Sequence, residues 1–470
     1  MDLFRKKSIA ELRAMAEKSG LAKSLTAFDL VILGIGAVIG TGIFVLTGVA
    51  AARYAGPAVP LSFVLSGLTC AFAGLAYAEF ASIVPASGSA YTYAYASMGE
   101  FIAFIVGWNL VLEYTVTCAA VAVGWSGYVV GLFKSAGYNV LPEALTLPTF
   151  DGGLINLPAI FITMFLSVLL IRGTRESVTV NRILVFVKLA AVFIFLVIAG
   201  PKVDVTNWEP FMPFGYSGIA QGAAIVFFAY IGFDAVATSA EECNNPSRDL
   251  PIGILGSLFV CTILYAVVAA VLTGVVPYTL LDTPEPVAFA LRELGYTIGS
   301  ALVGVGAICG ITTVLLVLLY GQARIFFVMS RDGLVPASIC KVHSKYKTPY
   351  IVTIVGCILV SIIGGLFPVG VIAEMANIGT LTAFTIAAVG VMVLRKSDPD
   401  LHRNFKCPAV WVVAPLAMLS CLYLIYNLPI ETWIRFVVWL ILGLAVYFGY
   451  SRGHSVLGKQ LAEKAKQQGN

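Results

Sequence analysis

The chain has 470 residues, of which 59% are hydrophobic and only 11% charged, with a mean hydropathy of +0.93. Soluble globular domains carry roughly 25% charged residues, so this composition excludes a soluble enzyme and a disordered scaffold. The net charge of +4 says little by itself, because in a membrane protein the position of each positive charge matters more. Uncharged apolar runs at 301–320 and 351–367 approach the roughly twenty residues that cross about 30 Å of hydrocarbon. They do not alternate as the strands of a β-barrel would. The predicted fold is an all-α polytopic membrane protein.

Twelve apolar segments follow in chain order, centred near Ile39, Leu68, Val111, Phe165, Val192, Val226, Val267, Leu316, Val355, Thr385, Ala417 and Ile441. Residues 1–27 carry Arg5, Lys6, Lys7, Arg13, Lys18 and Lys23, with no short apolar core before a small-residue cleavage site. They read as a cytoplasmic amphipathic arm rather than a cleavable signal. With that arm inside and twelve spans, 23 of the 29 Lys and Arg residues fall on cytoplasmic segments, five outside, and Lys188 within a span. This bias predicts both termini in the cytoplasm of a multi-pass plasma-membrane protein.

Of nine cysteines, Cys70, Cys118, Cys261, Cys309, Cys357 and Cys421 lie in apolar runs. No CxxC pair occurs and there are three histidines, so neither a metal cluster, a cofactor site nor a disulfide framework is indicated. Buried cysteine serving as a small hydrophobe is the simpler reading.

The first span holds Gly34, Gly36, Gly40 and Gly42, four glycines in nine residues. Glycine weakens a helix and lets another backbone approach closely. The GxGxxxGxG spacing is not a dinucleotide fingerprint, since no strand precedes it and no ribose-binding acid follows at the right distance. Packing of small residues against a neighbouring helix is the alternative. The sixth span, Phe227-Phe228-Ala229-Tyr230-Ile231-Gly232-Phe233-Asp234, has a glycine and a carboxylate interrupting an aromatic run. Gly40 and Gly232 lie 192 residues apart, and each break opens a block of five spans. Paired broken helices in corresponding halves mark a transporter binding site near the midplane. Freed amides there can hold a carboxylate, and freed carbonyls an ammonium. A free amino acid carries both.

The segments GIGAVIGTGIF (34–44), YAEFASIVPASGSAYTYAY (77–95), FFAYIGFDAVATSAEECNNPSRDLPIGI (227–254) and MSRDGLVP (329–336) carry a family resemblance. Over roughly residues 25–450 the chain resembles the cationic-amino-acid-transporter branch of the amino acid–polyamine–organocation superfamily. The resemblance implies a five-plus-five inverted repeat with broken helices 1 and 6, two further C-terminal helices, and alternating access. The segments would then be 28–203, 204–396 and 397–451, flanked by the arm at 1–27 and a cytoplasmic tail at 452–470. Carried over by position, amides around Thr41 and Gly42 would receive the substrate carboxylate. Carbonyls of Val38, Phe228, Ala229 and Ile231 would receive its amino group, and Phe233 would gate the pocket; packing against lipid or helices is the plainer account of each aromatic.

Lys188 lies about six residues inside span 5. A buried lysine charge costs several kcal/mol unless partnered, and one able to lose its proton is a coupling candidate; snorkelling to the interface is the alternative. Sodium-coupled transporters of this architecture hold a cation between spans 1 and 8, and some proton-coupled relatives place a span-5 amine there. The corresponding groups here are carbonyls near Gly36 and Ile39, with Thr312 and Thr313. Glu113 is a mid-span acid that either pairs structurally, lines the path or meets a cationic side chain. Asp234 would orient backbone freed by the break. Glu79 and Glu374, near helix ends, receive no role. Glu241, Glu242, Arg248 and Asp249 form an inner-loop charge cluster, and the small, uncharged stretch 85–93 is a candidate re-entrant segment.

The expected activity is secondary active amino acid transport with proton symport, with neutral substrates favoured because Glu113 alone does not define a cation pocket. Exchange of one amino acid for another is the alternative, and a membrane-embedded sensor a remoter one. The expected partners are an amino acid, protons and the lipid bilayer, without nucleic acid. An embedded enzyme would want a cluster of histidines or acids, but His343, His402 and His454 fall in loops or the tail.

Overall fold

The computed structural model describes residues 3–9, 25–83, 89–139, 141–173, 178–234, 236, 243–346 and 348–468. Among these residues the fold is helical, with one isolated parallel bridge between Leu25 and Cys243. In chain order the principal elements are α1 (Ala27–Val38), α2 (residues 42–55), α3 (Val59–Ile83), α4 (Ser89–Ser97), α5 (Glu100–Ser135), α6 (Leu157–Ile171), α7 (Val178–Ala199) and α8 (Gly215–Val226). Then come α9 (Pro246–Val275), α10 (Pro286–Glu293), α11 (Thr297–Arg331), α12 (Tyr350–Leu366), α13 (Val369–Ser397), α14 (Val410–Tyr426), α15 (Ile430–Val446) and α16 (Val456–Gln468).

Local chemistry sets several of these boundaries. Thr26 opens α1 with a capping box: its hydroxyl accepts from the Asp29 amide, and the Asp29 carboxylate accepts from the Thr26 amide at 3.1 Å. Asn156 caps α6 by accepting from the Ala159 amide at 3.1 Å, and proline stands in the first turn of α6, α9 and α10.

Among the described residues, seven helical stretches are long and apolar enough to cross a membrane, and α1, α6, α12 and α14 are shorter apolar helices. The outward faces carry Phe161 and Phe165 on α6, Phe186 and Phe193 on α7, Phe259 and Ile263 on α9, and Ile358 and Ile362 on α12, all exposed. Apolar exposure on this scale suits a hydrocarbon solvent, so the chain is a multi-pass membrane protein. Inside that shell α5 packs on both α11 and α13, while α9 packs on α1 and α3.

Both termini lie at one end of the bundle. The Arg5 guanidinium donates to the Glu100 carboxylate at 2.8 and 2.5 Å, and Ser455, near the other terminus, donates to the same carboxylate at 2.5 Å. Lys7 meets Asp332 at 2.5 Å, and the Val456 amide bonds the Asp332 carbonyl at 3.0 Å. Nearby, Glu79 is not merely a helix-end residue: Arg395 donates to it twice, at 2.7 and 2.8 Å, and the Cys407 amide at 2.8 Å. Glu374, in the second turn of α13, accepts from Thr432 at 2.6 Å.

Of the candidate re-entrant segment, residues 89–93 belong to the helix α4, and 85–88 lie outside the described residues. Arg13, Lys18, Lys23, Arg175, Glu241 and Glu242 also lie outside them. Of that inner-loop cluster, Asp249 accepts from the Asn245 amide at 3.1 Å and so caps the start of α9.

Candidate functional site at two crossed helix breaks

The glycine-rich first span is broken. Helix α1 stops at Val38, Ile39 turns to an extended conformation (φ −74°, ψ 106°), and winding resumes from Thr41 as a wider π-turn over Gly42–Leu46. In the sixth span, α8 stops at Val226 and tightens to a 3₁₀ turn over Phe227–Tyr230. Ile231 is then extended and Gly232 takes φ 112°, a conformation open to glycine and strained for other residues.

The two breaks cross in contact. A Cβ added to Gly42 would stand 2.3 Å from the Ala229 Cα, and one on Gly232 would stand 3.0 Å from the Ala37 carbonyl oxygen. The glycines therefore serve close backbone approach as well as weak helix formation. Val38, Thr41, Gly42, Phe228, Ala229 and Ile231 come together here, all buried. The Thr41 hydroxyl faces Gly124 of α5 and has no hydrogen-bond partner among the described residues.

Tyr265 of α9 joins the breaks. Its hydroxyl lies 3.1 Å from the Val38 carbonyl oxygen and 3.1 Å from that of Ala229. A phenol has one proton to donate, so the two carbonyls compete for it. These are two of the carbonyls that the sequence assigns to a substrate ammonium. Nothing in the apolar seventh span singled Tyr265 out beyond its hydroxyl.

Lys188 reaches the first break from α7. It is fully buried, and its ammonium donates to the carbonyls of Gly36 and Ile39, the latter at 3.0 Å. Carbonyls at a helix C-terminus carry the negative end of its dipole, which suits a cation. Gly310 of α11 makes room: a Cβ there would stand 2.9 Å from the Lys188 Cβ. The threonines are arranged differently from the expectation. Thr312 donates to the Ile308 carbonyl at 2.7 Å and accepts from the Trp125 indole at 2.9 Å, while Thr313 donates to the Gly310 carbonyl at 2.7 Å. Threonine hydroxyls in a helix readily bond back to their own preceding turn, and these two have done so.

Phe233 sits at one side of the break in an aromatic cluster, with Tyr77 at 6.2 Å and Phe384 at 5.1 Å between ring centroids. On the other side a cleft of about 430 Å³ reaches Val45, Gly124 and Ile225. Its rim holds the exposed Arg53–Asp282 pair at 2.7 Å. Glu285, beside the cleft, pairs with Arg292 at 2.5 Å, and burial pushes its carboxyl above the ordinary range against the pull of that arginine. Glu113 is buried on α5 facing Gly379 and Thr380 of α13, and no ion pair reaches it among the described residues.

The profile of the amino acid permease family matches residues 25–447. A branched-chain amino acid permease, BcaP, of Bacillus subtilis (strain 168) is 51% identical over 97% of this chain and 99% of its own length. The chain belongs to the amino acid permease family. A methylthioribose transporter of the same organism is 47% identical to this permease, over 97% of the chain and 99% of that protein. The cationic amino acid transporter 9, chloroplastic, of Arabidopsis thaliana is 35% identical over 93% and 89%. The permease is a transporter and not an enzyme.

Proposed function

We propose that the permease is a secondary active transporter that carries neutral amino acids together with protons by alternating access. The observation that carries the reading is the pair of crossed breaks with an amine at one of them. Breaks of this kind leave amides and carbonyls for a zwitterion, and Lys188 sets a protonatable cation against the C-terminal carbonyls of α1. In this reading the Thr41 and Gly42 amides take the carboxylate, and the Val38, Phe228, Ala229 and Ile231 carbonyls take the ammonium. Phe233 gates the pocket, and proton loss from Lys188 biases the inward–outward switch. Val45 and Ile225 give the cleft an apolar lining near the breaks, which favours an uncharged side chain. The branched-chain amino acids for which the 51% identical relative is named support the same preference.

The fold in this proposal is twelve spans in a five-plus-five inverted repeat (28–203 and 204–396) with helices at 397–451. The end that carries both termini faces the cytoplasm of the plasma membrane, because Lys and Arg concentrate there.

A second reading has one specific support, since the relative at 47% identity is named for methylthioribose. That ligand lacks the amino acid's charge pair. Proteoliposome uptake of labelled leucine, isoleucine and valine, with and without an inward proton gradient and beside labelled methylthioribose, separates the readings. Gradient-driven accumulation of an aliphatic amino acid is expected. Exchange without net accumulation would overturn symport, and uptake of methylthioribose alone would overturn the substrate class.

A further inference from the structure

Helix α13 runs past the broken sixth span and touches it on both sides of the break. On the α8 side, the fully buried Asn377 donates through its Nδ2 to the carbonyls of Ala224 at 2.7 Å and Ile225 at 3.0 Å. Seven residues further along α13, Phe384 packs on Phe227 with centroids 6.0 Å apart and on Phe233 at 5.1 Å. Seven residues are two turns, about 10.5 Å along one face of a helix. Asn377 and Phe384 therefore bracket the stretch from Ala224 to Phe233.

The hydrogen bonds at Asn377 meet a definite need. The last carbonyls of an α-helix have no partner within it, and α8 ends at Val226 inside the bundle, away from water. The Phe227 amide reaches back to the Ile225 carbonyl, and the Asn377 carboxamide adds both of its N–H groups, one to Ala224 and one to Ile225. Two carbonyl partners fix which way the amide faces, because an oxygen turned toward them would be repelled. Among the described residues the Oδ1 atom is buried without a hydrogen-bond partner. A residue retained only for comfortable packing would not carry a buried acceptor without a partner. Asn377 has given up satisfaction of its own oxygen to hold the end of α8.

We propose that Asn377 is a positioning residue for transport: its carboxamide fixes where α8 ends and so where the Phe228, Ala229 and Ile231 carbonyls stand. It acts through the backbone of α8 and touches no substrate. The inference rests on the proposed use of those carbonyls as acceptors for the substrate ammonium. It adds a group on α13 that sets their position.

The test compares Asn377→Ala, Asn377→Leu and Asn377→Asp with the wild-type permease in proteoliposomes, measuring KM and Vmax for an aliphatic amino acid and melting temperature in detergent. Leucine fills nearly the same space without a donor, and aspartate sets oxygen against the two carbonyl oxygens. The expected result is a KM raised at least tenfold in Ala and Leu alike, more in Asp, with Vmax within about threefold. The melting temperature of the Leu variant stays close to wild type. A wild-type KM in Asn377→Leu would overturn the proposal, because packing would then suffice. So would a KM change found only in variants whose melting temperature falls with it. Failure of the amino acid reading is recognised separately, since the wild-type protein would then transport no amino acid; the same comparison with its actual substrate would show an unchanged KM in all three variants.

Discussion

Gly42 and Ala229 meet backbone to backbone across the two breaks: a methyl group on Gly42 would stand 2.3 Å from the Ala229 Cα. Backbone cannot rotate aside as the tip of a long side chain can, so the clash moves one of the breaks. Gly42→Ala is expected to lower amino acid uptake at least tenfold. Gly449, whose Cβ would meet nothing, is the control, and Gly449→Ala should transport as wild type. Uptake by Gly42→Ala within twofold of wild type would contradict the crossing.

Lys188 supplies the only cation that hydrogen-bonds the α1 carbonyls at the first break among the described residues. Lys188→Ala is expected to abolish accumulation driven by a proton gradient. Exchange of labelled for unlabelled substrate across the same vesicles should be lost far less. Proton-driven accumulation that survives in Lys188→Ala would refute the coupling role.

Tyr265→Phe removes one oxygen and leaves the ring contacts in place, since Phe63 packs against the ring at 5.4 Å, tilted, and Tyr230 at 5.5 Å, edge to face. The loss is then confined to the hydroxyl shared by the Val38 and Ala229 carbonyls. A hydrogen bond of this kind contributes about 0.5–1.5 kcal/mol net, so KM should rise by roughly two- to thirteenfold with little change in melting. An unchanged KM would mean that the hydroxyl has no bearing on substrate.

Much of this architecture was legible because a bilayer imposes simple rules. Long uncharged runs became helices, and the glycines at Gly40 and Gly232 became breaks, since glycine is where a helix in a membrane yields at least cost. Lys188 stood out because a charge in an apolar run demands a partner. The partners were harder to read. Tyr265, Asn377 and the threonines look alike in sequence, as polar residues in apolar spans. Whether such a group turns to its own helix, as Thr312 and Thr313 do, or across to a neighbour depends on which helices touch. That is set by packing in three dimensions and leaves no local pattern. Glu79 shows the same gap, for its arginine partners Arg395 and Arg403 lie more than three hundred residues away in the chain.

That acid gives a prediction about stability. Glu79 is buried; it accepts from Arg395 at 2.7 Å and from the Cys407 amide at 2.8 Å, and it is ion-paired with Arg403 at 3.2 Å. Removing one member of a buried ionic network leaves the others uncompensated, at a cost of about 3–5 kcal/mol. Glu79→Ala should therefore melt well below wild type in detergent. Glu79→Gln should fall between them, since its amide oxygen still accepts but carries no charge. The double variant Glu79→Ala with Arg395→Met separates the two contributions, because Arg395 bonds chiefly to Glu79 and methionine fills its space with an apolar chain of similar length, whereas Arg403 also donates to the carbonyls of Leu394, Asp398, Pro399 and Leu401. Part of the lost stability should return. A double variant no more stable than Glu79→Ala would mean that the carboxylate acts through the Cys407 amide and Arg403 rather than by neutralising Arg395.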